Sequence, residues 1–192
     1  KSDDFGGKFF HIEDSPPGIK QMKSDSQGRL YAVCNLGDKE GKVYVYSDGK
    51  WTVLLSSEYG FDCIDINDDG SKIIVSGGRQ RQLYYSQNGG TTWINKLLNW
   101  QPEIISDENP WSTNNFFNHT GFIIFDKSDE TNKRVYGGDW MGTFKCEDIT
   151  ENTTKWSKMT RGLEELCQNK ILSPKGDNDL YCVGMDYGFI RS

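Results

Sequence analysis

The segment Ser86-Gln87-Asn88-Gly89-Gly90-Thr91-Thr92-Trp93 has the layout of a tight polar turn that closes on a buried Trp. Asn88, Gly89 and Gly90 accept positive φ at little steric cost, which a short hairpin requires. Gln82-Leu83-Tyr84-Tyr85-Ser86 before it and Trp93-Ile94-Asn95-Lys96-Leu97 after it read as the two strands that the turn joins. Ser2-Asp3-Asp4-Phe5-Gly6-Gly7-Lys8-Phe9 repeats the pattern position for position, with Phe9 where Trp93 stands. Ser47-Asp48-Gly49-Lys50-Trp51 is a version three residues shorter, and Cys146-Glu147-Asp148 to Trp156 is one three residues longer. The aromatic anchors Phe9, Trp51, Trp93 and Trp156 are then 42, 42 and 63 residues apart, which makes the chain a repeat.

The segments before each turn repeat as well. Leu30-Tyr31-Ala32-Val33-Cys34, Lys72-Ile73-Ile74-Val75-Ser76, Arg134-Val135-Tyr136-Gly137-Gly138 and Leu180-Tyr181-Cys182-Val183-Gly184 each read as a second strand. Each follows a polar turn and a first strand, such as Ile19-Lys20-Gln21-Met22 or Phe122-Ile123-Ile124-Phe125. Four units of four short strands suit a β-propeller. The turn pattern Ser-x-Asn/Asp-x-Gly-x-Thr-Trp resembles the Asp box of sialidase-like and xyloglucanase-like β-propellers, where it marks the hairpin between the two outer strands of a blade. On that resemblance the structural box residues are Ser86, Asn88, Gly90 and Trp93, and Ser2, Asp4, Gly6 and Phe9.

The expectation is therefore an all-β fold, a single small β-propeller domain over 1–192 with four four-stranded blades. Their approximate bounds are 16–56, 57–98, 99–159, and 160–192 plus 1–14. The N-terminal outer strand Phe9-Phe10-His11-Ile12-Glu13 is expected to pair with the C-terminal strands and close the ring, leaving no open sheet edge. Two alternatives stay open: a homodimer that completes an eight-blade ring, or a chain that is part of a longer propeller.

A net charge of −6 argues against a nucleic-acid backbone as the partner. No run of 18 apolar residues could span a membrane as a helix. The chain does not open on Met or a signal peptide, which reads as a processed chain or a cut fragment. Cys34, Cys63, Cys146, Cys167 and Cys182 form no Cys-x-x-Cys pair; two disulfides with one thiol over, or five buried small side chains, fit them equally. The sequons at Asn118 and Asn152 point to glycosylation and a secreted protein. With His11 and His119 far apart, no metal site and no cofactor are expected. Asp65-Ile66-Asn67-Asp68-Asp69-Gly70 looks like the start of an EF-hand loop, but Ser76 stands where the Glu is required, so it reads as an ordinary blade turn.

Blade geometry puts the turns between second and third strands on the face opposite the boxes, together with the links from blade to blade. Asp139-Trp140 and Asp186-Tyr187 occupy matching places there, an acid followed by an aromatic. Such pairs suit a polyol, whose ring stacks on an aromatic face and whose hydroxyls pair with carboxylates. Arg79 and Arg81 add donors, and Asp38 and Glu40 add acids. The insertion before Asn118 contributes Trp100 and Trp111, as ligand contacts or as a lid on the hydrophobic layer. The reading is a secreted, lectin-like module that binds a glycan or polysaccharide.

Met185-Asp186-Tyr187-Gly188-Phe189-Ile190-Arg191 is similar to the xyloglucanase-family stretch Thr-Asp-x-Gly-Gly-x-Tyr-Arg, without its second Gly and its Tyr. That resemblance implies an alternative, a glycoside hydrolase or a fragment of one with Asp139 and Asp186 as its carboxylate pair. A protein-binding propeller similar to the sortilin-type receptors is a further alternative. Sialidase chemistry is excluded, because none of the six arginines lies in the Phe/Tyr-Arg-Ile-Pro motif of that family.

Overall fold

The computed structural model describes residues 2, 4–37, 40–77, 82–97, 101–102, 120–139, 142–159, 168–172, 181–184 and 188–191. They contain sixteen strands and no helix. The first sheet is an antiparallel meander of β1 (Ile19–Ser24), β2 (Leu30–Asn35), β3 (Gly41–Ser47) and β4 (Lys50–Ser57). The second repeats it with β5 (Cys63–Ile66), β6 (Ile73–Gly77), β7 (Gln82–Ser86) and β8 (Ile94–Asn95). In the third, β10 (Phe122–Phe125), β11 (Val135–Asp139), β12 (Gly142–Cys146) and β13 (Lys155–Lys158) follow the same order. β9 (Gln101–Pro102), from the insertion, adds a fifth strand parallel to β13, where the sequence shows no strand alternation. The fourth sheet has three strands, β14 (Gln168–Leu172), β15 (Tyr181–Gly184) and β16 (Gly188–Arg191).

The expected closing strand is not there. Residues 9–13 form no strand, and Phe9 and Phe10 are 80% and 52% exposed. A turn interrupts the segment at its end: Ser15 N–H donates to Ile12 O at 3.3 Å, and Asp14 has φ +55°. The ring is thus not closed through this segment, and Phe9 anchors nothing.

The core is two layers, each between adjacent sheets. Tyr31, Val33 and Val43 of the first sheet pack against Ile64, Ile73 and Val75 of the second. Ile74, Leu83 and Tyr85 on the other side of the second sheet pack against Ile123, Phe125, Val135, Phe144 and Trp156 of the third. Period-2 alternation accounts for both, since successive side chains of β6 enter opposite layers. The second sheet is covered on both sides, so β5 and β6 are buried throughout. Among the described residues β1 and β10 have one packed side each, and Met22, Phe122 and Ile124 are exposed.

Innermost strands are also tied across the sheets. Gln21 Oε1 on β1 accepts from Ile64 N at 2.7 Å, and Asp65 Oδ2 on β5 accepts from Phe125 N at 2.8 Å. Lys23 reaches Asp65 at 3.1 Å, so this buried carboxylate is paired as well as bonded. The Asp65 to Gly70 segment is a strand end and turn, closed by Lys72 N donating to Asn67 Oδ1 at 2.8 Å.

Cys34, Cys63 and Cys146 are buried free thiols. Two disulfides are therefore impossible with five cysteines. Burial pushes the thiols up, to about 11 for Cys34 and Cys63 and about 12 for Cys146, so they pack as neutral side chains.

Candidate functional site

The box turns come first, because they set the two faces of the molecule. In the Ser86 turn, Ser86 Oγ accepts from Gly90 N at 2.9 Å and Asn88 Oδ1 accepts from Thr92 N at 2.9 Å. In the Ser2 turn, Ser2 Oγ accepts from Gly6 N at 2.8 Å and Asp4 Oδ1 accepts from Lys8 N at 2.8 Å. The two segments fold by one set of bonds, and the serine-to-carboxamide or serine-to-carboxylate contact that links the two acceptors is present in both.

Their aromatic residues behave differently. Trp93 is half-buried rather than buried, packs against the first core layer, and donates through Nε1 to Leu54 O at 3.0 Å and Gly90 O at 2.9 Å. Gly90 holds φ +88°, and a Cβ there would lie 2.8 Å from Leu54 Cδ1, so glycine is needed twice over. Trp51 is half-buried and meets Tyr46 at a tilt, with ring centroids 5.1 Å apart and 47° between the planes. Only Trp156 is wholly enclosed, with Nε1 donating to Thr154 Oγ1 at 3.2 Å.

The turns between first and second strands lie beside the boxes and join blade to blade. Ser26 N–H donates to Asp68 O at 2.7 Å, Arg29 to Asp69 O at 2.7 Å, and Lys72 Nζ to Thr131 O and Asn132 O. Aspartates cap these turns. Thr131, with the amides of Arg134 and Lys133, holds Asp129 well below the usual carboxylate range; Ser128 and Arg134 do so for Asp126, and Ser71 for Asp69. At Asp25 burial pushes the carboxyl up, but the Arg29 side chain and two backbone amides outweigh it.

These groups are ionised in the folded chain and have lower pKa values there than when unfolded. Their stabilisation is fully present above the unfolded carboxylate value, about 4, and is lost as pH falls through and below it. We expect a melting temperature that is flat from about pH 7 to 5 and drops steadily below about pH 4. A melting temperature that holds or rises to pH 2.5 in the same scan would contradict the capping role.

The opposite face collects the hairpins between second and third strands. The pairs Asn35↔Gly41, Gly77↔Gln82, Asp139↔Gly142 and Gly184↔Gly188 close them, in matching places on all four sheets. Of the proposed ligand contacts, Asp139 is placed here, at the end of β11. Trp140, Asp186, Tyr187, Arg79, Arg81, Trp100, Trp111 and Asp38 lie outside the described residues, so the carboxylate pair Asp139 and Asp186 has no separation to report. Glu40 is on this face and forms an ion pair with Lys42 at 2.7 Å. Asn152 is exposed in the third box turn, on the other face, and Asn118 lies outside the described residues.

Asp139 has basic company. Burial lowers the Lys158 pKa and the charge of Asp139 pulls it back up, so the two groups sense each other across the β12 edge. Beside Asp139, Gly138 is buried under Phe122, its partner across β10 and β11, and a Cβ at 138 would run into the Phe122 ring. Phe122 itself is 37% exposed. The result is an aromatic side chain laid over a glycine, with a carboxylate one residue further on.

Sequence reasoning placed Phe122 only in a strand. The signal that could have found it is the alternation of β10: Ile123 and Phe125 enter the core, which leaves Phe122 and Ile124 outward. Phe122 then faces a glycine across the ladder instead of a side chain. Two amides, the buried Gln82 and the half-buried Asn35, add polar groups to the same face, with Gln82 Oε1 accepting from Ser57 at 3.0 Å and Asn35 Oδ1 from Phe61 N at 2.7 Å.

No family model matches the chain. No curated protein matches it either. Among solved structures, the GH74 enzyme of Niastella koreensis superposes with a TM-score of 0.69 at 21% identity, over 97% of this chain and 30% of the enzyme. An ancestral GH74 enzyme superposes with a TM-score of 0.55 at 16% identity, over 90% of this chain and 24% of that one. The chain thus spans less than a third of the length of these two enzymes. At these identities the likeness is one of fold: all-β, with the sheet succession of a β-propeller.

Proposed function

We propose that the chain is a carbohydrate-binding unit of β-propeller type, which takes a glycan on the hairpin face around Asp139 and Phe122. The observation that carries the reading is the Phe122 ring over Gly138 beside Asp139. A sugar presents a ring face of C–H groups and a rim of hydroxyls; Phe122 offers an aromatic face at this end of the third sheet, and Asp139, which by alternation projects to the other side of β11 from Gly138, offers a hydroxyl partner at the same end. Trp140, next to Asp139, is the second aromatic of the proposed site. Fold similarity to two GH74 enzymes supports a carbohydrate ligand ahead of a peptide. It also favours the chain as part of a longer propeller over a ring closed on its own, since residues 9–13 form no strand.

The second reading is hydrolysis, with Asp139 as one carboxylate of a pair completed by Asp186. Asp139 lies close enough to Lys158 for their charges to interact, so the candidate base or nucleophile has a cation at hand. Secretion with glycans on Asn118 and Asn152 is proposed alongside, as is the Asp-box character of the repeat.

The test is a β-glucan oligosaccharide titration read by calorimetry, with reducing sugar measured on the same samples. Binding without product release supports the lectin-like reading, and Phe122→Ala should weaken it about tenfold, the loss of one stacking aromatic. Product release that Asp139→Asn abolishes would move the assignment to hydrolase. Unchanged affinity in both Phe122→Ala and Trp140→Ala would remove the site from this face.

A further inference from the structure

Asn88-Gly89 is the one Asn-Gly pair in the sequence, and the proposed ligand site does not use it. In an unfolded chain such a pair is chemically labile. The main-chain nitrogen after an asparagine can attack the side-chain carbon Cγ, and glycine has no side chain to obstruct the approach. An N–Cγ bond forms, the Cγ–Nδ2 bond breaks, and the amide proton passes through solvent to the departing nitrogen, which leaves as ammonia. Water then opens the cyclic imide at either carbonyl, to aspartate or to isoaspartate. Water is the only other reactant.

The folded turn holds both reacting groups. Asn88 is exposed, so water reaches it. Its Oδ1 accepts from Ser86 Oγ at 3.0 Å and from Thr92 N at 2.9 Å, and its Nδ2 donates to Thr92 Oγ1 at 2.8 Å. The attacking nitrogen is engaged elsewhere, since Gly89 N donates to Ser71 O at 2.8 Å in the turn between β5 and β6. Rotating the carboxamide onto Gly89 N breaks three bonds, and freeing that nitrogen breaks a fourth.

The Ser2 turn indicates the fate of the two products. Asp4 stands there in the place of Asn88, and its Oδ1 accepts from Ser2 Oγ and Lys8 N, both at 2.8 Å. Aspartate in place of Asn88 can therefore rebuild the turn. Isoaspartate adds a methylene to the main chain between Ser86 and Gly90. The bonds from Gly90 N to Ser86 Oγ and from Thr92 N to Asn88 Oδ1 both span that stretch, and Trp93, which follows, closes on Leu54 O of the first sheet.

We propose that Asn88 is a deamidation site gated by the fold, shut while the box turn is closed and open when it is not. Aspartate restores the turn, whereas isoaspartate leaves the seam between first and second sheets unmade. Each opening of the turn thus exposes the chain to a permanent mark.

The test incubates the whole chain at mildly alkaline pH, folded and in urea, and follows the Asn88 peptide by mass spectrometry. Conversion should be at least about tenfold slower in the folded chain, where reaction is confined to the open fraction. Thr92→Ala, at an exposed position, removes the Nδ2 partner and should raise the folded rate without moving the urea midpoint. Refolding the urea-aged chain should sort the products, with aspartate in the folded fraction and isoaspartate in the fraction that fails. Equal rates folded and in urea, an Asn88 that stays intact in urea, or a Thr92→Ala chain that ages at the wild-type rate would each overturn the proposal. So would isoaspartate in the folded fraction, or an Asn88→Asp chain that melts well below wild type. None of these readouts depends on whether a glycan binds.

Discussion

Trp156→Ala should destabilise the chain by about 3 to 5 kcal/mol, the range for removing a large aromatic from a closed core. Trp156 has no exposed surface, lies on β13 within the layer between second and third sheets, and its neighbours there are already packed at 0 to 1% exposure, among them Phe144, Tyr85 and Leu83. They belong to several strands, so the hole cannot close by one side chain swinging in. Thr154 Oγ1, itself buried, loses the indole donor as well. Trp93→Ala removes a half-buried ring and one donor shared by two carbonyls, and should cost about 2 kcal/mol. Urea titrations of the two variants compare them directly. A Trp93 effect equal to or above that of Trp156 would mean that the box turn, rather than the layer between sheets, limits stability.

Asp25→Ala should be the next largest, at about 2 to 4 kcal/mol. Its side chain is fully covered and accepts four bonds: Gln27 N at 3.0 Å, Arg29 N at 2.9 Å, Arg29 Nε at 2.6 Å and Tyr31 O–H at 3.3 Å. Alanine removes all four acceptor positions. Arg29 keeps its bond to Asp69 O and is about a third exposed, so part of its charge is screened and the loss stays below that of a sealed ion pair. Asp25→Asn retains an acceptor for the two amides and should cost less than alanine. Equal losses for the two variants would show that the ion pair, and not the turn cap, is what Asp25 contributes.

Much of this was readable from residue order. Strand pairs such as Phe122 to Phe125 with Val135 to Asp139 follow from alternation and from the Asp and Gly turns between them. Box turns were readable because they are local: Ser86 and Asn88 bond to amides within four residues. What failed was what depends on distant partners. Phe9 has the box's aromatic position, but an aromatic anchors only if another strand arrives to cover it, and none of the described strands does. The third sheet gained β9 because a two-residue edge strand needs a free neighbour more than a pattern of its own. On the hairpin face, the position of Asp139 at the end of β11 follows from its place in the repeat, whereas the position of Phe122 opposite Gly138 needs the ladder register.

The bonds that tie the turn face together share one property. Ser26, Arg29, Lys72, Trp93 and Lys96 each donate to a main-chain carbonyl of the adjoining sheet: Asp68, Asp69, Thr131, Leu54 and Glu151 respectively. A carbonyl belongs to every residue, so the acceptor turn can change its side chains and still serve. Only the side-chain donors Arg29, Lys72, Trp93 and Lys96 are constrained in identity, since Ser26 donates through its main-chain N–H. Successive blades can thus drift apart in sequence while their seams hold, which leaves the hairpins of the far side free to acquire new ligands without retuning the joints.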